Sequence, residues 1–267
     1  MESERLILKQ PIAVIIARGG SKRLPRKNVL PFCGLPLIEW SIIQACCSHH
    51  LGPENTYLST DDDEIAFIGK RNKIHVLRRP ERPDADTRTG SQEFVWAIKQ
   101  IEKERDFDTL IGALPTSPVR HPWDMDANIE RYYELKPKYP EMWCLMTSVP
   151  NEETIVYKYL DNARLIWWLL SKGRWFGGQG INANCHDKDG YKRVQSQSHF
   201  DRNITESNIW MDPASEGQVQ FYRPTEWYQQ YDIDNRDIFE LCEIMMERYI
   251  LKGRGDQVYY DYRDGKA

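Results

Sequence analysis

"PIAVIIARGGSKRLPRKN", residues 11–28, decides how this chain is read. Its apolar half, "PIAVIIA", is a short uninterrupted run of the kind that forms a strand covered on both faces. The second half sets five cations, Arg18, Lys22, Arg23, Arg26 and Lys27, around two adjacent glycines. Gly19 and Gly20 allow close backbone approach, Ser21 adds a hydroxyl, and Pro25 and Pro31 stiffen the segment. Left uncompensated, those charges repel one another, so the loop asks for a polyanion. In an open parallel sheet the loop after the first strand lies at the carboxyl edge, where phosphate commonly binds. A solvated basic loop is the plain alternative, which the position directly after a buried strand disfavours. The spacing matches neither GxGxxG nor GxxxxGK[ST], so a dinucleotide fold and a P-loop NTPase are both disfavoured.

The chain outward from this stretch alternates. "PLIEWSIIQACCSHH" carries Leu37, Trp40, Ile43 and Cys47 at helical spacing, "NTYLST" and "KIHVL" read as strands, and "DDDEIAFIGKRN" between them opens on carboxylates suited to a helix start. "SQEFVWAIKQIEKE" is a helix, "TLIGAL" a buried strand, and "PWDMDANIERYYELK" a helix with Pro122 in its first turn. This rhythm predicts an α/β fold with a doubly wound, mostly parallel sheet over residues 1–149. Residues 150–205 break it: "TIVYKYL" and "ARLIWWLL" are strand-like, and "SKGRWFGGQGINANCHDKDGYKRVQSQSHF" has no clean period, so this stretch is expected to be an inserted small subdomain. Its aromatics Trp167, Trp168, Trp175 and Phe176 suit either a partner subunit or the subdomain's own core. Residues 206–267 return to the sheet through "NIWMD" and "QVQFYRP" and end in the helix "RDIFELCEIMMERYI", where Ile238, Cys242, Met245 and Tyr249 form a core stripe.

Composition sets the outer bounds. The 267 residues, 40% hydrophobic and 12% aromatic, suffice for one substantial core with a smaller appended part. A net charge of −4 argues against a nucleic-acid or anionic-membrane partner, so positive charge acts locally. No apolar stretch approaches the roughly 20 residues of a membrane span and "MESERLILKQ" lacks a signal peptide's apolar segment, which makes a cytoplasmic location the default expectation. The six cysteines show no CxxC or other zinc spacing; Cys46 and Cys47, within a helical apolar pattern, are read as reduced core thiols, and the compartment as reducing.

"ARGGSKRLPRKN" resembles the nucleotide-binding signature of the CMP-sialic acid synthetases, the acylneuraminate cytidylyltransferases, which reads approximately A-R-x-x-S-K-x-[LI]-P-x-K-N. Four further stretches resemble that family's motifs in order: "LSTDDDEIA", "VLRRPERPDADT", "LPTSPVR" and "YDIDNRDIFELCE". The resemblance implies a Rossmann-like nucleotidyltransferase fold, a homodimer, and transfer of CMP from CTP to the anomeric hydroxyl of a sialic acid-like or related keto-acid sugar with release of pyrophosphate. Such a step develops charge, so it needs cations on the phosphates, a divalent metal and in-line positioning.

By position, Arg18, Ser21 and Lys27 are implied triphosphate contacts with Lys22 beside them, and Lys27 is the expected stabiliser of the leaving pyrophosphate. Asn28 is expected to hold the loop or touch ribose. Arg79 aligns with the family's base-proximal arginine, Arg78 leaving the register open by one, and Asp86 and Thr87 fall nearby. Thr116, Ser117 and Arg120 are expected at the ligand edge of the sheet. Asp232 and Asp234, spaced i, i+2, project to one side of an extended segment and suit magnesium with phosphate oxygens, although Asp234 also suits the N-cap of the last helix. Leu114 stands where the family usually has glutamine near the sugar, and Glu206 and Asn208 alone represent its sugar-contacting segment. Two other readings stay open: a related sugar nucleotidyltransferase or glycosyltransferase, though G-x-G-T-R-x-x-P is absent, and a non-catalytic nucleotide-binding regulatory module.

Overall fold

The structure is a computed structural model that describes residues 11–80, 90–140, 142, 144–150, 155–159, 164–171, 174–176, 191–202 and 219–266. The expected loops around Asp86, Glu206 and Asn208, and the "NIWMD" strand, lie outside the described residues.

The first strand, β1 (Ile12–Ala17), is flanked by two parallel neighbours, β4 (Thr56–Thr60) and β6 (Thr109–Ala113), and β5 (His75–Arg78) extends the sheet beyond β4. On the far side of β6 lies β11 (Tyr191–Asp201), antiparallel both to β6 and to β7 (Cys144–Pro150), and β12 (Val219–Pro224) continues parallel to β7. From β5 to β12 only β11 runs against the others, so the mostly parallel expectation is met here. Outside β12 the sheet is extended by β9 (Arg164–Ser171), β10 (Arg174–Phe176) and β8 (Ile155–Tyr159) in antiparallel pairings. β2 (Pro31–Phe32) and β3 (Leu35–Pro36) form a separate two-stranded ribbon. The stretch 150–205 therefore supplies a strand to the central sheet as well as its outer hairpins.

Both faces of β1 are covered, as a continuous apolar run requires. Successive side chains alternate, so Ile12 and Val14 pack with Phe94, Val95 and Ile98 of α3 (Gly90–Ile101). Ala13, Ile15 and Ala17 meet the opposite layer: α1 (Leu37–Cys46) through Ile38 and Ile42, α2 (Asp63–Arg71) through Ile65 and Ile68, and α4 (Pro122–Leu135) through Met125 and Ile129. α1 is buried along both sides. Its stripe of Leu37, Trp40, Ile43 and Cys47 turns away from the sheet onto α5 (Arg236–Met245), its π-helical continuation Met246–Leu251, and α6 (Gln257–Arg263). The Ile238, Cys242, Met245 and Tyr249 stripe packs in this cluster. Among the described residues no helix is long and apolar enough to cross a membrane.

Candidate active site

The basic loop leaves the carboxyl end of β1 and closes on a 3-10 turn, Lys27–Val29. Two anchors shape it from within. Asn28 is buried, and its Nδ2 donates to the Arg18 carbonyl at 3.0 Å, tying the end of the loop back to its start. Arg26 adopts φ 57°, a left-handed conformation that a non-glycine residue takes at some energetic cost.

The neighbouring strand exit supplies the outer anchors. Because β1 and β4 are adjacent and parallel, the turn after β4, "DDDE" at 61–64, arrives beside the loop. Asp61 Oδ1 accepts from the Gly19 amide at 2.9 Å. Asp62 caps α2 by accepting from the Ile65 amide at 3.0 Å and also pairs with Arg26, whose guanidinium reaches Glu64 Oε2 at 2.5 Å as well. Gly19 is required by this crowding, since a Cβ there would lie 2.4 Å from Asp62 Oδ2. Burial acts to raise the Asp62 carboxyl, but the Arg26 hydrogen bond and the Ile65 amide overrule it and hold the group below the ordinary value.

The third side of the site comes from the segment before α5. Lys27 Nζ donates to the Ile233 carbonyl and lies 3.6 Å from Asp234 Oδ1, while Arg23 pairs directly with Asp234. Asp232 hydrogen-bonds Thr116, and the Ile233 amide donates to the Thr116 carbonyl at 2.7 Å, so the "PTS" turn after β6 and the Asp232–Asp234 segment are stitched together. Burial lowers the Lys27 ammonium's affinity for its proton, against the two aspartates that favour the charge. Asp232 faces solvent yet is ringed by protein; that crowding raises its carboxyl, with Thr116 and Lys27 opposing. The N-cap of α5 is Asn235, whose Oδ1 accepts from the Ile238 amide at 2.9 Å. Asp234 is thus not the cap, and its carboxylate is turned to the loop's cations.

Several expectations change. The loop's charges are not left to repel one another: Arg23, Arg26 and Lys27 each meet a protein carboxylate, contributed by segments distant in sequence. Arg120 does not reach the ligand edge. It is fully buried, with Nε on Gln44 Oε1 at 2.9 Å and Nη2 on Ser41 Oγ at 2.7 Å, and desolvation pushes its pKa down to about 10. It locks the "LPTSPVR" turn against α1. Ser117 is buried beside it, while Thr116 is half-buried at the Asp232 side. Arg79, not Arg78, turns inward: its guanidinium donates to the carbonyls of Ala17 at 3.0 Å and Ser59 at 3.3 Å and lies 3.4 Å from Asp61. Arg78 faces outward to Asp63 at 2.9 Å. Arg18 and Lys22 are exposed, and Ser21 is half-buried. The sequence presents Asp61, Asp62 and Glu64 as a helix start within a family-like motif and gives them no part in holding the loop, although an acidic run at the exit of the strand neighbouring β1 is the signal that locates them.

Magnesium takes one or two carboxylates together with substrate phosphates and waters, and Asp232 with Asp234 beside a phosphate-type loop is such a donor set. Among the described residues no group of three or more His, Cys, Asp or Glu side chains is placed to hold a metal.

Known proteins resemble this chain in sequence and in fold. A family model described as Cytidylyltransferase matches residues 12–160. An N-acylneuraminate cytidylyltransferase of Oncorhynchus mykiss is 33% identical over 118 residues, 44% of this chain and 26% of that protein. One of Streptococcus agalactiae serotype III (strain NEM316) is 31% identical over 123 residues, 46% of this chain and 29% of that protein. The match thus spans less than a third of these relatives' lengths. Among solved structures, a CMP:2-keto-3-deoxy-manno-octonic acid synthetase complexed with CTP superposes with a TM-score of 0.67 at 16% identity, covering 90% of this chain and 100% of that one. A 4-diphosphocytidyl-2C-methyl-D-erythritol synthase from Anaerococcus prevotii DSM 20548 gives 0.56 at 10% identity, covering 90% and 100%. These likenesses establish the fold.

Proposed function

The chain belongs to the cytidylyltransferase family, and on that premise we propose that it transfers the cytidylyl group of CTP to the anomeric hydroxyl of a keto-acid sugar of the sialic-acid or related type. The attacking oxygen forms a bond to the α-phosphorus, the bond to the bridging oxygen breaks, and pyrophosphate leaves; the hydroxyl proton passes to a base or to water. The observation that carries the reading is the convergence, at the carboxyl edge of β1, of a cationic loop with the Asp232–Asp234 segment, Lys27 standing between them.

In this reading Lys27, held by the Ile233 carbonyl and partly buried, is aimed at the phosphate oxygens that gain charge as pyrophosphate departs. Arg18, Ser21 and Lys22 line the exposed side of the loop and receive the triphosphate. Asp232 and Asp234 hold magnesium, which when bound supplies positive charge to the phosphates and orients them. Arg23 then exchanges Asp234 for phosphate as its partner. Arg79 acts at one remove, fixing the ends of β1 and β4 where the loop begins. The nature of the acceptor draws support from the relatives named for N-acylneuraminate and from the structural neighbour named for an octonic keto acid. Leu114, where the acylneuraminate enzymes usually carry glutamine, favours an acceptor making one fewer hydrogen bond at that point.

The test is pyrophosphate release from CTP and magnesium against N-acetylneuraminic, legionaminic, pseudaminic and Kdo-type acids, with UTP and Asp234→Ala as controls. Release that requires CTP, one of these acids and Asp234 supports the reading. Nucleotide binding without turnover on any acid moves the chain to a different acceptor or to a binding role.

A further inference from the structure

We propose that Arg26, though part of the cationic loop, is a positioning residue and not a phosphate ligand: with Asp62 and Glu64 it clamps the far end of the loop to the start of α2 before nucleotide arrives. The identity of the nucleotide rests on the cytidylyltransferase reading; the clamp does not.

The loop is gripped at two points by one turn. At its near end Asp61 takes the Gly19 amide and approaches Arg79, whose guanidinium also holds the Ala17 carbonyl. At its far end the Arg26 fork divides between Asp62, through both Nη1 and Nη2, and Glu64 Oε2. Asp62 is itself fixed, because the same carboxylate caps α2 at Ile65 and is packed against Gly19. The left-handed backbone at Arg26 explains how consecutive cations part company: Arg26 turns to the α2 side while Lys27 turns to Asp234. Both terminal nitrogens of Arg26, Nη1 and Nη2, are therefore engaged by protein carboxylates, and the conformational cost at that residue is offset by what the clamp fixes. A loop ordered in advance loses less freedom when a triphosphate binds, so the clamp works through nucleotide affinity.

The experiment compares Arg26→Ala, Arg26→Gly, Arg26→Lys and the pair Asp62→Asn/Glu64→Gln. Asparagine preserves the helix cap while removing the charge. Three quantities are read: amide exchange across residues 18–27 in the free protein, CTP affinity by calorimetry, and the division of any rate loss between KM and kcat. Arg26→Ala is expected to speed loop exchange by about tenfold and weaken CTP by about fivefold, with the loss in KM and kcat nearly unchanged. Arg26→Gly removes the backbone penalty together with the clamp, so its exchange rises even where its melting temperature holds. Arg26→Lys recovers part of the effect, and the carboxylate pair reproduces Arg26→Ala with no further loss when the two are combined. Unchanged exchange in Arg26→Ala and in the carboxylate pair overturns the clamp. So does a CTP loss in Arg26→Ala that the carboxylate pair fails to reproduce, which would make Arg26 a direct phosphate ligand. If the unaltered protein binds no CTP, the proposed function falls while the exchange measurement still decides the clamp.

Discussion

The two adjacent glycines of the basic loop should respond to the same substitution in opposite ways. Neither lies in the left-handed region, so space alone decides the outcome. A Cβ on Gly19 would stand 2.4 Å from Asp62 Oδ2 and 2.9 Å from Asp62 Cβ and Cγ. Asp62 cannot step aside without cost, because it holds the Ile65 amide at 3.0 Å and pairs with Arg26. Overpacking of this kind costs about 1–3 kcal/mol, and yielding the cap instead costs about 1 kcal/mol. Gly19→Ala is therefore expected to lose about 2 kcal/mol, a fall of about 4–8 °C in Tm at this chain size. At Gly20 a Cβ meets nothing within 4 Å. Gly20→Ala should melt at or slightly above the unaltered protein, since the unfolded chain loses freedom worth about 0.4–1 kcal/mol. Its methyl group, however, occupies the space a phosphate would approach, and CTP affinity should fall by about tenfold, or about 1.4 kcal/mol. Thermal melts by circular dichroism, paired with CTP titration of each variant, read both quantities. A Gly19→Ala protein that melts within a degree of its parent would refute the crowding argument.

Arg120→Leu should lower stability by about 3 kcal/mol because Gln44 and Ser41 lose their buried donor, with CTP affinity of the folded fraction unchanged; a chemical denaturation curve and a titration together check it. Asn235→Ala should cost about 1 kcal/mol as a lost N-cap and leave turnover intact, whereas Asp234→Asn should abolish magnesium-dependent turnover; steady-state assays on the two separate the cap from the site. Replacing Asp232, whose charge is disfavoured where it stands, by asparagine should leave Tm at or above that of the parent while removing turnover, in line with strain concentrated at functional groups. Because Asp62 ionises more readily in the fold than its ordinary value of 3.8, its stabilising effect is complete above about pH 4. That effect is lost as pH falls through the lowered value, so the stability gap between the parent and Asp62→Asn should close on acidification, as urea curves at stepped pH would show.

What the sequence disclosed was local and what it hid was tertiary. The apolar run of β1, the alternation over the first half of the chain and the stripe of α5 all follow from periodicity, and each element stands where its pattern indicates. β11 escaped notice because its pattern has no clean apolar alternation, and the residues of it described as buried, Gln197 and Ser198, are polar: Gln197 donates to the Asp124 carbonyl at 3.0 Å. α6 was missed for a related reason, since the short "QVYYDYR" buries aromatics that carry no clean stripe. In the site, the loop's cations were visible but their partners were not. Arg23 and Asp234 are separated by 211 positions and Arg26 and Asp62 by 36, and no local pattern links them. Arg120 misled for the converse reason, its surroundings of Ser41 and Gln44 being set by the packing of α1.

The place of β11 in the sheet has a consequence for how the chain is made. β5, β4, β1 and β6 all lie within the first 113 residues and can pair as soon as they exist. β7 is complete by residue 150, yet it is joined to β6 only through a strand that ends at residue 201. On a ribosome adding roughly 5–20 residues each second, the outer edge of β6 therefore waits several seconds with its ladder of amides and carbonyls open. The α1 face that α5 and α6 will cover waits longer still. A nascent chain interrupted between residues 150 and 190 would carry that bare edge permanently, the condition under which strands pair with other molecules instead of their own. Translation through this interval is accordingly where synthesis of the protein is most exposed to aggregation and where a holding chaperone would have the most to shield.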